Sequence, residues 1–478
     1  MKKLLQNITL LLLLGTGACQ PRFEMVPPGA GVTVQEFDEN VYVTANGAGK
    51  HSGADWNNAI SFKTFLSRIT SEESMLSYTA FHIQQGEYLV TSKNAYQSIS
   101  GDVCCIRGGY SQASQYDDLS LCDPNLYPTV FTGDVNKNGV ADDGDGAFAY
   151  VTNGNVRFDN IIFKNFYLSE TLASNLGGKG SAVFGINGAY YSTSVECNNC
   201  RFEGNVNGVT DPSKNSWHGG PCSMLSQGYL KLRNCIIRDN SAYSRGGAIR
   251  INGSKGVLFL DRCLFTGNQI TDSYGSAIQG SSGVICMNNS SLVGNIGKGG
   301  VLNGGGAFLV ANSTLIDNSE PDDNCGAFRC VASADRESLF INSVFSNENA
   351  GGYGLVLSEN GTVVSKGFNL YKSVKANAGS TSPVVSSDTE KNVVLTGSIQ
   401  GNTWMWDVSQ VMADMRGFAI VDDIYDAVVS FDPIVYTEIA VLGRTFANWV
   451  TPISFAKDAR GAIRGDDRYQ PGAYDPNI

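Results

Sequence analysis

Short apolar runs with a period of two recur through the middle of the chain. Leu230-Lys231-Leu232 and Leu258-Phe259-Leu260 are examples, each closely followed by a bend-forming position. Period two is the spacing of a β-strand, whose side chains point alternately to opposite sides. After such runs comes one recurring register: Asn, then a small residue or Cys, any residue, a large apolar residue, two variable positions and often a second Asn. It is read at Asn160-Ile161-Ile162-Phe163, Asn199-Cys200-Arg201-Phe202, Asn234-Cys235-Ile236-Ile237 and Arg262-Cys263-Leu264-Phe265. It continues at Asn289-Ser290-Ser291-Leu292, Asn312-Ser313-Thr314-Leu315 and Asn342-Ser343-Val344-Phe345. The intervals wander between the low twenties and the high thirties, as in a solenoid of short strands with loop insertions. A helical solenoid needs a 3.6-residue period and helix caps, and these segments have neither.

The positions one and three after the Asn share parity, so Cys263 and Phe265 face one side. Two strands therefore meet at a bend that carries Asn. Asn tolerates the left-handed backbone of a tight bend, and stacked copies can hydrogen-bond up the stack as a ladder. A third strand follows each copy, at Gly247-Ala248-Ile249-Arg250, Ser276-Ala277-Ile278-Gln279, Gly300-Val301-Leu302-Asn303 and Gly326-Ala327-Phe328-Arg329. Three short strands per turn predict an all-β fold, a parallel β-helix, right-handed by the rule for parallel crossovers.

A β-helix must cover its open ends. Asp55, followed by Trp56, Ala59, Ile60, Phe62, Phe65, Leu66 and Ile69, predicts an N-terminal capping helix. The Asn register is lost beyond about residue 375. Trp404, Trp406, Phe431 and Trp449 in that stretch suit a mixed C-terminal cap packed on the solenoid, or a carbohydrate-binding module. The expected division is 1–19 signal peptide, 20–39 tether, 40–375 β-helix with its N-terminal cap, and 376–478 C-terminal cap.

The start of the chain reads as an address. Lys2 and Lys3 precede an apolar run and then Gly15-Thr16-Gly17-Ala18-Cys19. The run is far shorter than the ~20 residues that cross a bilayer, which gives a secretory signal. The small residues ending on Cys19 resemble a bacterial lipobox, with Thr16 where Leu is usual. That resemblance implies a lipidated Cys19, an outer-membrane or cell-surface location and a lipid anchor without a transmembrane helix. An ordinary signal cleaved nearby is the other reading. Pro21, Pro27 and Pro28 follow in the tether.

Gly246-Gly247-Ala248-Ile249 paired with Phe265-Thr266-Gly267-Asn268 resembles the repeats of chlamydial polymorphic outer membrane proteins. More widely, the chain is similar to bacterial surface lipoproteins with pectin-lyase-like parallel β-helix repeats. The opening around Tyr42 to Gly47 with Trp56 to Ala59, then Arg107-Gly108-Gly109-Tyr110, carries this likeness, as does the ending from Asp458 through Arg464 to Tyr474. The resemblance implies the fold; it does not imply an activity.

Composition narrows the partners. The net charge is −11, with 17% charged and 42% hydrophobic residues. The chain can bury a large core, and it has no basic block for nucleic acid. Three His leave little for His-based catalysis. Cys200, Cys235 and Cys263 share one register position, continued by Ser290 and Ser313, which suits buried thiols inside the solenoid. Disulfides are the rival reading, and a pair among Cys104, Cys105 and Cys122 is one option. Cys197, Cys200, His218 and Cys222 imitate zinc spacing. Asp134, Asn136, Asn138, Asp142 and Asp145, with Gly139 between, space oxygens like a calcium loop. A polar turn without an ion fits the same residues.

One row stands out for binding. In the third strands, Arg250, Gln279, Asn303 and Arg329 follow the apolar residue and should point outward, one per turn. Met224 and Leu357 are expected to extend it as apolar ends. A polysaccharide or surface glycan suits such a row, and the two Arg suit acidic sugars. The row holds no carboxylate, Lys or His. Asp322-Asp323 and Asp422-Asp423 are adjacent pairs whose side chains would diverge on a strand. These observations favour a surface protein that binds glycan, or another surface partner, without catalysis. A polysaccharide lyase or glycoside hydrolase with loop-borne acid and base is the alternative, and a structural spacer is a third possibility.

Overall fold

The computed structural model describes residues 37–406 apart from 38, 71–78, 112–121, 189–192, 218, 273, 318–325, 332–337, 349–351, 358–362, 378, 392–394, 396 and 401–402. Cys19, His218, Asp322-Asp323, Asp422-Asp423 and residues 407–478 lie outside the described residues.

The strands wind into a parallel β-helix. Each turn brings one strand to a face before the Asn bend, one to a face after it and one to a third face. The pre-bend face includes Thr193–Asn198, Val284–Asn288, Ala307–Ala311 and Ser338–Ile341. The post-bend face includes Arg201–Glu203, Ile236–Arg238 and Leu264–Thr266. The third face includes Ile278–Gly280, Leu302–Gly304, Gly326–Cys330 and Tyr353–Leu357. The long strands Ser223–Arg233 and Ile249–Asp261 run through the third and pre-bend faces together. Where turns are longest, a fourth short strand intervenes, as in Val206–Asn207 and Ser241–Ser244. All neighbouring turns pair in parallel, so Cys197 lies against Leu232, Leu232 against Leu260 and Leu260 against Met287. These residues and their like fill one continuous dry interior.

The N-terminal plug differs from its expected form. Asp55 caps only a short turn, Trp56–Asn58, its carboxylate accepting from the Asn58 N–H at 2.8 Å. Ile60 then joins the sheet beside Val43. The helix itself is Phe62–Ile69, capped by Ser61, whose hydroxyl accepts from the Thr64 N–H. Ala59 and Ile60 are buried in extended backbone, and that burial overrides the helical spacing. Phe62, Phe65 and Ile69 close the open end of the interior, with Phe62 stacked on Tyr88 and Phe65 edge-on to Phe81.

The bends explain the repeat. Asn160, Asn199, Asn234, Asn289, Asn312 and Asn342 all have φ between +48° and +60°, and Arg262 takes the same conformation at +53°. Three neighbouring pairs of amides are linked directly: Asn199 Nδ2 donates to Asn160 Oδ1, Asn234 to Asn199, and Asn342 to Asn312, whereas Asn312 donates to Asn288 Oδ1. Arg262 interrupts this column. The next residue turns back inward and donates to the carbonyl two positions earlier. Cys235 does so to Arg233 at 3.2 Å, and Ser290 to Asn288 at 2.9 Å. The thiols are therefore buried weak donors that serine replaces in later turns.

At the second bend the asparagines are fully buried. Asn205 Nδ2 donates to Asn240 Oδ1, Asn240 to Asn268 and Asn268 to Asn295, each at 2.8 Å. Here the left-handed residue is the one before the Asn: Gly204, Asp239, Gly267 or Gly294.

Candidate functional site

On the third face, Met224, Arg250, Gln279, Asn303 and Arg329 lie side by side in successive strands. They point away from the interior, since Ile249, Ile278, Leu302 and Phe328 on the alternate positions belong to the core. The next member is Val356 rather than Leu357, and Lys375 follows it. Leu357 takes the opposite parity and packs inside. Between Met224 and Lys375 this register position holds no carboxylate.

Facing outward is not the same as being open. Arg250 is 1% exposed, Asn303 2% and Gln279 8%. Arg250 donates to Asn252 Oδ1 at 3.1 Å. Burial, with the nearby Arg245 charge, pushes its guanidinium down to about 9. The more accessible part of the row begins at Arg329, which is half-buried. Its guanidinium sits 4.5 Å from the centre of the Tyr274 ring, and Tyr274 is 44% exposed. Farther along, Lys375 Nζ lies 5.4 Å from the centre of the Tyr353 ring. Each is a cation over an aromatic face. Gly299 permits the first pair: it has φ +76°, and a Cβ there would run into Cδ1 of Tyr274.

Tyr274, Tyr353 and Lys375 are the members the sequence did not single out. Tyr274 stands at a bend outside the strand register, so only the folded corner reveals that it reaches Arg329. The spacing of Lys375 was obscured by the one-residue shift from Leu357 to Val356.

The loop over 134–145 is closed by its own hydrogen bonds. The Asp134 carboxylate accepts from the Asn138 and Gly139 N–H groups, and Asp145 from Val135 and Asp142. Asp142 accepts from the side-chain amides of Asn136 and Asn138. The Gly144 N–H and these amides hold the Asp142 carboxyl below its usual range. Burial pushes that of Asp145 up. All five sequence-predicted residues are thus brought into one loop, with backbone and amide donors on their oxygens.

Cys104, Cys105, Cys122, Cys197, Cys200, Cys222, Cys235 and Cys263 are thiols. The pair considered among the first three does not form: Cys105 donates to Asp159 and Cys122 to the Gly108 carbonyl. Cys197 and Cys200 are buried in the interior. Among the described residues, no three His, Cys, Asp or Glu side chains are placed to hold a metal.

Outside the pre-bend face lies a charged cluster that no repeat spacing marks in the sequence. Asp159 bonds Arg107 at 3.0 Å and Arg157 at 2.7 Å, and accepts from Asn198 at 2.9 Å. Burial alone would raise the Asp159 carboxyl, but the two guanidinium groups hold it well below the usual range. His82 is shared between Tyr110 and Asn40 at 2.9 Å each. Burial, helped by Arg107, pushes its imidazole down to about 3, so it is neutral. A hydrogen bond between Tyr110 and Arg107 joins the two groups into one buried polar network.

No protein-family model matches the chain, and no curated protein matches it. Among solved structures the chain is similar to pectate lyase Pel9A, at 12% identity and a TM-score of 0.36, over 74% of this chain and 79% of that one.

Proposed function

We propose that this parallel β-helix binds an acidic glycan along the outer side of its third face, centred on Arg329 and Lys375, without cleaving it. The observation that carries the reading is the register row itself. It presents two cation–aromatic pairs and no carboxylate, so it offers charge and ring faces to an anionic sugar and no acid–base couple. Arg329 and Lys375 stand two strand spacings apart, about 9.6 Å, a distance on the scale of a disaccharide rather than of a single sugar. Arg250, Gln279 and Asn303 continue the row on its other side and are buried.

The test is affinity electrophoresis or calorimetry with polygalacturonate and a neutral polysaccharide. The expected result is binding of the acidic polymer alone, weakened about tenfold by each of Arg329→Ala and Lys375→Ala. New reducing ends, or ultraviolet absorbance from unsaturated products, would replace this reading with the enzymatic one. Equal binding of both polymers, or of neither, would reject it.

The small residues ending on Cys19 support, as a separate part of the proposal, a lipid anchor at the cell surface or outer membrane. Fatty-acid labelling that survives Cys19→Ala would sink that part. A calcium ion in the 134–145 loop would stiffen the loop and do no chemistry. A melting temperature unmoved by calcium or a chelator counts against it.

A further inference from the structure

The outer side of the pre-bend face changes character along the solenoid. One outer row holds Ala80 and Cys105 in the first turns and then the charged Arg157, Glu196 and Lys231. From the next turn on, the same row holds Phe259, Cys286, Leu309 and Leu339. None of these four belongs to the interior cluster, yet each is at most 1% exposed. The first-bend column changes in step: Asn199 is exposed and Asn234 half-buried, whereas Asn289, Asn312 and Asn342 are fully buried.

A sheet has two sides, and apolar side chains on the outer one stay dry only beneath a second layer. At the turn of Phe259 the strand Ile249–Asp261 runs on without a connecting loop, and at the turn of Cys286 the connection is only residues 281–283. The four apolar rungs span about 14 Å, so the covering chain must run along the solenoid. The chain leaves the solenoid beyond Thr389–Glu390 and enters the hairpin Gly397–Gln400 with Thr403–Trp406. That end of the sheet carries Leu309 and Leu339. Residues 407–478 then follow, long enough for the task. They begin with Val408, Val411, Met412 and Met415, a spacing that puts four apolar side chains on one side of a helix.

We propose that residues 407–478 are the occupant: they lie on the outer side of the pre-bend face over Phe259, Cys286, Leu309 and Leu339. The C-terminal part is then a wall along the solenoid rather than a lid on its end.

Cys286 provides the readout, with Cys235 and Cys263 inside the solenoid as controls. A protease site is inserted at Gly401-Asn402 of the full chain, the chain is cut, and alkylation is followed peptide by peptide. The expected result is that the C-terminal fragment co-elutes with the solenoid and all three thiols stay protected. Leu309→Glu should then release the fragment and speed Cys286 alkylation at least tenfold, while Cys235 and Cys263 remain protected. If that variant unfolds, all three react together. The cut wild-type chain then decides, by fragment release in mild denaturant coinciding with Cys286 exposure. A fragment that leaves while Cys286 stays protected would overturn the proposal. So would protection that disappears on dilution as a dimer separates, which would make a second copy the occupant.

Discussion

Where the first bend carries an asparagine, that residue is itself the left-handed one, and in the early turns its amide lies at or near the surface. At the second bend a preceding glycine or Asp239 takes the left-handed backbone, and the asparagine is wholly buried. One residue type thus meets two physical demands. The first is conformational: a side chain that tolerates positive φ. The second is a matter of hydrogen bonding. Asn268 Oδ1 accepts from the Asn240 amide and from its backbone N–H, while its own Nδ2 donates to the Ile237 carbonyl and to Asn295. Inside a dry solenoid those groups have no water to turn to. The first column therefore tolerates an exception at Arg262, whereas the second runs unbroken from Asn205 to Asn295.

Substitutions can separate the two demands. Asn268→Ala orphans two donors and a carbonyl, so it should cost about 3 kcal/mol or more in chemical denaturation. A cost below about 1 kcal/mol would mean that the second column is as dispensable as the first. Asn234→Ala places an alanine at φ +52° and should cost about 1–2 kcal/mol. Asn234→Gly should recover most of that loss, because backbone freedom is the larger need there. If glycine and alanine are equally harmful, the first ladder contributes mainly through its hydrogen bonds and the contrast fails. The smallest effect is expected for Arg262→Asn, which removes a left-handed arginine and lets the column run on. A gain of roughly 0.5 kcal/mol is expected, offset in part by loss of the Asp261 neighbour 3.6 Å away.

The candidate site was partly legible. The positions of Arg250, Gln279, Asn303 and Arg329 in one row followed from counting strands, because parallel pairing between equivalent strands stacks equivalent residues. Their burial did not follow, because what lies over a sheet is set by chain distant in sequence. Tyr274 could not be found by periodicity, since it reaches Arg329 across Gly299 from a bend. The capping helix begins later than its apolar spacing predicts for a related reason. Ala59 and Ile60 keep helical spacing, but pairing beside Val43 drew Ile60 into the sheet, and Ser61 became the cap.

What the sequence determined by itself is the repeat: strand period, bend residues, the inward column of Cys and Ser, and hence the solenoid. Each turn repeats one local solution and touches only its neighbours, so local pattern is enough. The tertiary structure alone decided which outward residues are covered and which remain open. It also decided that Arg107, Arg157 and Asp159 form one network, and that Tyr274 meets Arg329. Those outcomes depend on contacts between segments whose separation in the chain carries no period, and no local pattern records them.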